Sequence, residues 1–399
     1  MSQSSLPLRA SNAAIYLFVP LVTAPLFMTL MIAPILAVKI ATQFDLSATQ
    51  VGLLFSLELG AFSLATLPAY FWMGKLSARK ATYIFGSLAI LGNLASAMVS
   101  SFELLLVTRT FTALAAGSVV VLALALAGKA SNPGRAFGLF IFMQVVLGAV
   151  VLSIFPAVFE PLPVSAVYLT MAILIAAALP ITHMLPSRMC ISEDQDAVAS
   201  TSKVSPARYL VALASVLLFY IGAAAAWTFI AEPATKAGLS LETITTTLAI
   251  ATFVGLVPSL FASIVGDTRF NTLIIVASFI GVLAGIYFLI GLTAAVAYIV
   301  ASIVFQIAWN LLLPYLFSMV AATSTSPRVA STINLMAGGG LAIGPVAGGA
   351  VLESTGSIET LLWVSMAFIA AGLVCSGLVL LRRAPAPAVA AASPAKAVS

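Results

Sequence analysis

The chain has 399 residues, 62% of them hydrophobic and only 7% charged, with a mean hydropathy of +1.17. Soluble domains carry roughly 25% charged residues, so there is too little charge here to cover a water-facing surface, and lipid is the expected solvent. The net charge of +5 comes from Lys and Arg scattered over connections, with no basic stripe to grip nucleic acid, and Cys190 and Cys375 stand too far apart to suggest a disulfide framework or a zinc site.

A helix needs about 20 apolar residues to cross the hydrocarbon core. Uncharged runs of that kind predict twelve helices. Helix 1 covers 13–38. Its run is too long for a signal-peptide core, so it reads as a retained first span. Helix 2 covers 49–73, helix 3 81–100, helix 4 103–127, helix 5 136–158 and helix 6 163–185. The longest polar stretch between spans, Pro186 to Tyr209, then divides the hydrophobic mass, and 187–206 reads as a linker. Helices 7 to 12 cover 207–231, 240–265, 271–291, 294–321, 329–352 and 359–381. An Ala/Pro-rich tail from 384 to 399 reads as disordered. The expected fold class is an all-α membrane protein with six-helix bundles over 1–186 and 207–383.

Orientation follows from Lys and Arg, which favour cytoplasmic connections. With the N-terminus inside, fourteen of the seventeen basic residues fall on the inner side, among them Lys75, Arg79, Lys80, Arg135, Arg208 and Arg328. Lys39 and Lys236 fall outside, and Arg109 lies within a span. The predicted location is the inner (plasma) membrane, with both termini cytoplasmic.

The halves show weak internal similarity. "GKLSAR" after helix 2 pairs with "GDTR" after helix 8, from Gly74 to Gly266. "SNPGRAFG" after helix 4 pairs with "STSPRVAS" after helix 10, from Arg135 to Arg328. The offsets agree within one residue, which points to a duplicated six-helix unit. Parallel repeats of this kind build a class of secondary transporter.

On these residues the chain resembles the major facilitator superfamily, from about residue 12 to 383. The resemblance rests on the 6+6 layout, the central linker and degenerate motifs. Gly74, Leu76, Arg79 and Lys80 follow that family's loop after helix 2, but Ala78 stands where its acidic residue is expected. In the family that acid joins an ionic latch between the halves. Arg109 matches an Arg that many members carry in helix 4, with Gly117 later than usual. Gly340, Gly344, Pro345, Gly348 and Gly349 in helix 11 are similar to the glycine–proline pattern of helix 5 in drug/proton antiporters. The resemblance implies alternating access, with helices 1, 4, 7 and 10 around a central cavity.

Glycine and proline are poor helix formers in water. In lipid, association depends on close approach, so small residues bring backbones together. Helix 11 is therefore expected to pack tightly, either as a static contact or as a smooth face on which the halves rock. Pro345 leaves a carbonyl for a neighbouring helix or water to satisfy.

Two charges lie inside spans: Glu58 at roughly 13 Å depth and Arg109 at roughly 9 Å, at about 1.5 Å per residue. Burying either alone costs about 2.5–3.5 kcal/mol on the insertion scale, and the depths allow a pair. Two readings stand. One is a static ion pair. The other is a group that exchanges a proton, or meets the substrate, as the cavity opens.

Further polar and aromatic candidates for the cavity are Gln144, Tyr220, Trp227, Gln306, Trp309 and Asn310. Gln306 and Asn310 share one helix face at i, i+4. Packing and interhelical hydrogen bonding account for the same residues equally well. Asn334, Glu232 and the lone His183 are weaker candidates. Amides, one Arg and several rings suit a small organic solute with a ring and few polar atoms. No nucleotide-binding motif, metal cluster or catalytic set is present, so no cofactor is expected and uphill transport must draw on an ion gradient.

The preferred reading is a monomeric, proton-coupled carrier of a small organic solute, tilted toward efflux by the glycine–proline pattern. The first alternative is uptake of an organic acid, possibly aromatic, with Arg109 as its carboxylate partner. The second, of another class, is a membrane sensor or enzyme that transports nothing.

Overall fold

A computed structural model of the chain describes residues 8–128, 130–131, 133–185, 206–265, 268–324 and 329–381. The linker over 187–205 and the tail over 384–399 lie outside the described residues, as do Cys190, Lys129, Arg328 and the Gly266–Asp267 pair. The described residues form an all-α bundle. Eleven of its helical stretches are long and apolar enough to cross a bilayer. The twelfth, Asn271–Tyr287, has 17 residues, the short end of the spanning range. The expected 271–291 thus ends early, and the chain turns through Gly291 at φ 65°.

Helix 1 departs most from the expected 13–38. It runs as Leu8–Thr23, a 3-10 turn Ala24–Phe27, one turn Met28–Met31, and Ala33–Phe44. The breaks fall at Pro25 and Pro34, each of which withholds an N–H from the turn before it. Helices 2 and 8 break similarly. Helix 2 is Ala48–Leu64 followed by Thr66–Trp72, and helix 8 is Leu241–Val254 followed by Leu256–Val265. Pro68 and Pro258 sit four residues beyond the ends of the first segments. The remaining spans are helix 3 (Ala78–Met98), helix 4 (Phe102–Gly128), helix 5 (Pro133–Val158), helix 6 (Val164–Ala178 with a 3-10 end Leu179–Met184), helix 7 (Pro206–Thr228), helix 10 (Ala295–Ala321), helix 11 (Val329–Thr355) and helix 12 (Ile358–Leu381).

The turns that lead into helices 2 and 8 match in detail. Asp45 at φ 51° and Gly238 at φ 77° are both left-handed. In each case a Leu amide follows, reaching back 3.0 Å to an Ala carbonyl (Leu46 to Ala41, Leu239 to Ala234). Next comes a Ser N-cap, Ser47 or Ser240, whose Oγ accepts from the amide three residues on. Such caps satisfy orphan amides at a helix start. These turns are 193 residues apart, the separation of Arg135 and Arg328.

Helices 1–6 meet helices 7–12 mainly along helix 2 on helix 11 and helix 5 on helix 8. The helix 2–11 seam is close enough to forbid side chains. A Cβ on Gly52 would lie 2.2 Å from the Pro345 carbonyl oxygen, and one on Gly349 would lie 2.2 Å from that of Ala48. The Val346 amide donates to Ser56 Oγ at 2.9 Å across the seam. Gly340, Gly344 and Gly348 instead face helix 7, within the second six helices. Helix 11 therefore carries two small-residue faces: one crosses between the halves, and the other is internal to one of them.

Candidate functional site

A cavity of about 970 Å³ lies between the two sets of helices. It reaches from Thr29, Glu58 and Trp227 to Ser324 and Asn334, where helices 10 and 11 join. It therefore opens toward the face that carries Lys75, Arg79, Lys80, Arg135 and Arg208, called here the basic face. Glu58, Arg109, Gln144, Tyr220, Trp227, Gln306, Trp309 and Asn310 all line it. Among the described residues that line it, Glu58 and Arg109 are the only charged side chains.

Those two charges are paired. Arg109 is 3% exposed and Glu58 5%. Arg109 Nε donates to Glu58 Oε2 at 3.1 Å, and Nη2 donates to Glu58 Oε1. The guanidinium is also held from its other sides. Nη1 donates to Asn93 Oδ1 at 2.8 Å, and Nη2 to Thr29 Oγ1 at 3.0 Å. The ring of Tyr168 packs 4.6 Å from the guanidinium carbon. Helices 1, 2, 3, 4 and 6 thus converge on one cation. A desolvated ion pair needs such extra hydrogen bonds to offset its lost hydration.

The wall supplied by the second six helices is aromatic and neutral. Trp227 stacks on Phe305 at 6.4 Å and an interplanar angle of 6°. Phe305 meets Trp309 edge-on at 5.3 Å, and Tyr220 stacks on Phe317 at 6.5 Å. Gln306 Nε2 donates to Thr252 Oγ1 at 3.4 Å, and Asn310 Nδ2 to the Gln306 carbonyl at 2.9 Å. On the opposite wall Gln144 is buried, and its Nε2 has no hydrogen-bond partner. It is a donor without an acceptor inside the cavity.

The far end of the cavity is shut. Residue 34 is proline, so the Leu30 carbonyl lacks the N–H that would come four residues on. Trp227 Nε1 from helix 7 donates to it at 3.1 Å. Beyond this contact is a second cavity of about 450 Å³, lined by Thr228, Glu232 and Glu353 among others. The Glu353 carboxylate accepts from the Thr49 amide at 3.0 Å, which puts negative charge at the start of helix 2.

The other predicted residues separate. Gly74 is exposed, with open space where a Cβ would be. Arg79 donates to the Leu185 carbonyl at 3.0 Å and the His183 carbonyl at 2.6 Å. It therefore closes the end of helix 6 within the first half, and among the described residues its hydrogen bonds reach none of the second. His183 contributes a carbonyl here, and its ring packs 5.4 Å from Tyr83. Asn334 donates to Thr66 at 3.3 Å at the cavity mouth. Thr29, Asn93 and Tyr168 were not among the predicted residues. Asn93 had a readable signal: it is a lone amide in an apolar span, and such a group faces the bundle interior.

A family model described as Major Facilitator Superfamily matches residues 21–326. Among solved structures, the fold is similar to that of the nucleoside transporter NupG. A variant of that protein aligns at TM-score 0.70 and 15% identity, covering 94% of this chain and 99% of the other. A second NupG structure aligns at TM-score 0.68 and 13% identity, covering 92% and 98%. No curated protein matches the chain.

Proposed function

The chain belongs to the major facilitator superfamily and is a multi-pass membrane transporter, and we propose that it couples proton movement to transport of a small, ring-bearing organic solute through Glu58. One observation carries this reading. Among the described residues the central cavity holds a single carboxylate, and that carboxylate is bound to the single cation beside it. An intramembrane ionisable pair facing a cavity is the first place to look for a functional site. When Glu58 takes a proton it leaves Arg109, and the pair passes between two charge states that the rocking halves can sense.

In this proposal the basic face is cytoplasmic, so the conformation described here is open to the inside. The aromatic wall receives the ring of the solute, and the amides of Gln144, Gln306 and Asn310 read its polar atoms. A nucleoside, the solute in the name of the aligned transporter, has such a ring. The glycine–proline pattern of helix 11 is accounted for by packing on helices 2 and 7. It therefore gives no direction, and the transport measurement decides between uptake and efflux.

The test uses proteoliposomes with an imposed pH gradient and two labelled probes, uridine and 3,4-dihydroxybenzoate. The expected result is that one of them accumulates against its own gradient, that Glu58→Gln abolishes this, and that exchange across the membrane survives. Undiminished pH-driven accumulation by Glu58→Gln removes Glu58 from the mechanism.

A further inference from the structure

We infer that the solute carries one carboxylate, which displaces Glu58 from the Nε/Nη2 edge of Arg109 while Glu58 takes up one proton. The inference rests on the proton-coupled reading above and adds the chemical class of the solute and the stoichiometry.

The first argument is charge balance. The described residues that line the cavity hold one negative and one positive side chain. With Glu58 ionised the site is neutral. Protonating Glu58 alone leaves a buried, uncompensated guanidinium, which a low-dielectric interior disfavours strongly. A neutral solute does nothing to relieve this, whereas a monoanion relieves it fully. Proton and anion then bind together or not at all, which is the linkage a coupled carrier requires. A dianion would overshoot, and so would an anion arriving without a proton.

The second argument is geometry. Arg109 presents Nε and Nη2 to Glu58, the fork that takes a carboxylate through two parallel bonds. Asn93, Thr29 and Tyr168 hold the guanidinium from elsewhere, on helices 3, 1 and 6. They do not depend on Glu58. When Glu58 leaves, the fork keeps its place and its direction, so it is preorganised for another carboxylate. Gln144 Nε2 supplies an unused donor for a further oxygen of the solute. Around Glu58 the titratable neighbours are Arg109 on helix 4 and Tyr168 on helix 6. Helices 1 and 3 present Thr29 and Asn93, and the part of helix 11 packed there presents Ala342 and Val346, none of them charged.

The probes are 3,4-dihydroxybenzoate and its neutral isostere 3,4-dihydroxybenzamide, whose hydroxyls slow unaided permeation. Binding is read on the purified, unaltered chain by quenching of tryptophan emission, since Trp227 and Trp309 line the cavity. The acid is expected to bind and the amide to fail. In weak buffer, acid binding takes up close to one proton per molecule bound. Acid affinity falls about tenfold for each unit that the pH rises, wherever one proton is taken up per acid bound. Glu58→Gln binds the acid with an affinity that no longer follows pH. In proteoliposomes, a potassium diffusion potential leaves the initial rate of acid transport unchanged.

Amide binding equal to that of the acid, acid binding without proton uptake, a potential-driven rate, or no acid binding at millimolar concentration would each overturn the inference. The two levels fail separately. Accumulation of uridine but not the acid under a pH gradient defeats the carboxylate inference and leaves proton coupling intact. Accumulation of neither defeats the parent reading.

Discussion

Replacing Gly52 by alanine places a methyl group 2.2 Å from the Pro345 oxygen and 2.9 Å from Val346 Cα, where ordinary contact begins near 3.4 Å. The opposing atoms are backbone, so no rotamer change relieves the overlap, and helices 2 and 11 must part by about 1 Å. Overpacking of this kind costs about 1–3 kcal/mol. Alternating access requires the seam near Gly52 to loosen in the opposite conformation, so the penalty falls on the form described here. That biases the two-state equilibrium by about 5- to 150-fold toward opening at the second cavity. The assay is the labelling rate of Thr228→Cys, a position buried in the second cavity, by an impermeant maleimide, with Cys190 and Cys375 changed to Ser. Gly52→Ala should raise that rate within the stated range. Gly340→Ala is the control: its methyl would meet Tyr220 Cβ at 2.4 Å, a clash between helix 11 and helix 7 inside one half. It should lower the melting temperature and leave labelling unchanged. Equal labelling in the two variants, or a lower melting temperature in Gly52→Ala without faster labelling, would show that the seam is ordinary packing and refute the reasoning.

Three further outcomes follow from named contacts. Asn93→Ala removes an acceptor from a buried cation, a loss of about 1.5–3 kcal/mol, so the melting temperature should fall and KM for 3,4-dihydroxybenzoate should rise more than kcat falls. Trp227→Phe keeps the ring against Phe305 but loses the N–H to Leu30. At about 0.5–1.5 kcal/mol for such a bond, Thr228→Cys labelling should rise about two- to tenfold. Arg79→Ala frees the carbonyls of His183 and Leu185, so amide exchange should quicken at the end of helix 6 while acid binding is unaltered. Arg79→Lys should restore little, because an ammonium lacks the planar fork that spans two acceptors.

Much of this architecture is legible in the sequence because lipid enforces a simple rule. Long uncharged runs become helices, and the few ionised groups turn inward. The depths of Glu58 and Arg109 allow a pair, since both helices start near the same face, but depth does not say that the two side chains turn toward each other. The breaks in helix 1 are signalled by Pro25 and Pro34, but the hydropathy run masks them, because apolar content continues through a kink. Asn93 and Thr29 are harder. As a lone amide in an apolar span Asn93 is expected to face inward, but the partner of each sits on another helix, so no local spacing says what it meets. The duplicated turn at Asp45-Leu46-Ser47 and Gly238-Leu239-Ser240 is hidden because only two letters of three agree, while the left-handed backbone that they share has no letter of its own. The division of labour on helix 11 is hidden too. Glycines one turn apart announce a close contact but do not say with which helix.

The closure between Leu30 and Trp227 has a consequence for how that end opens. Proline at 34 removes the usual helical donor to the Leu30 oxygen, and a group from the other half of the molecule takes its place. When the indole withdraws, that oxygen loses the one hydrogen bond it receives from helix 7 and keeps only the Ile32 amide of its own turn. Parting the two halves at this end therefore breaks a hydrogen bond as well as an aromatic contact, so the closed end comes undone at a cost that falls on one indole.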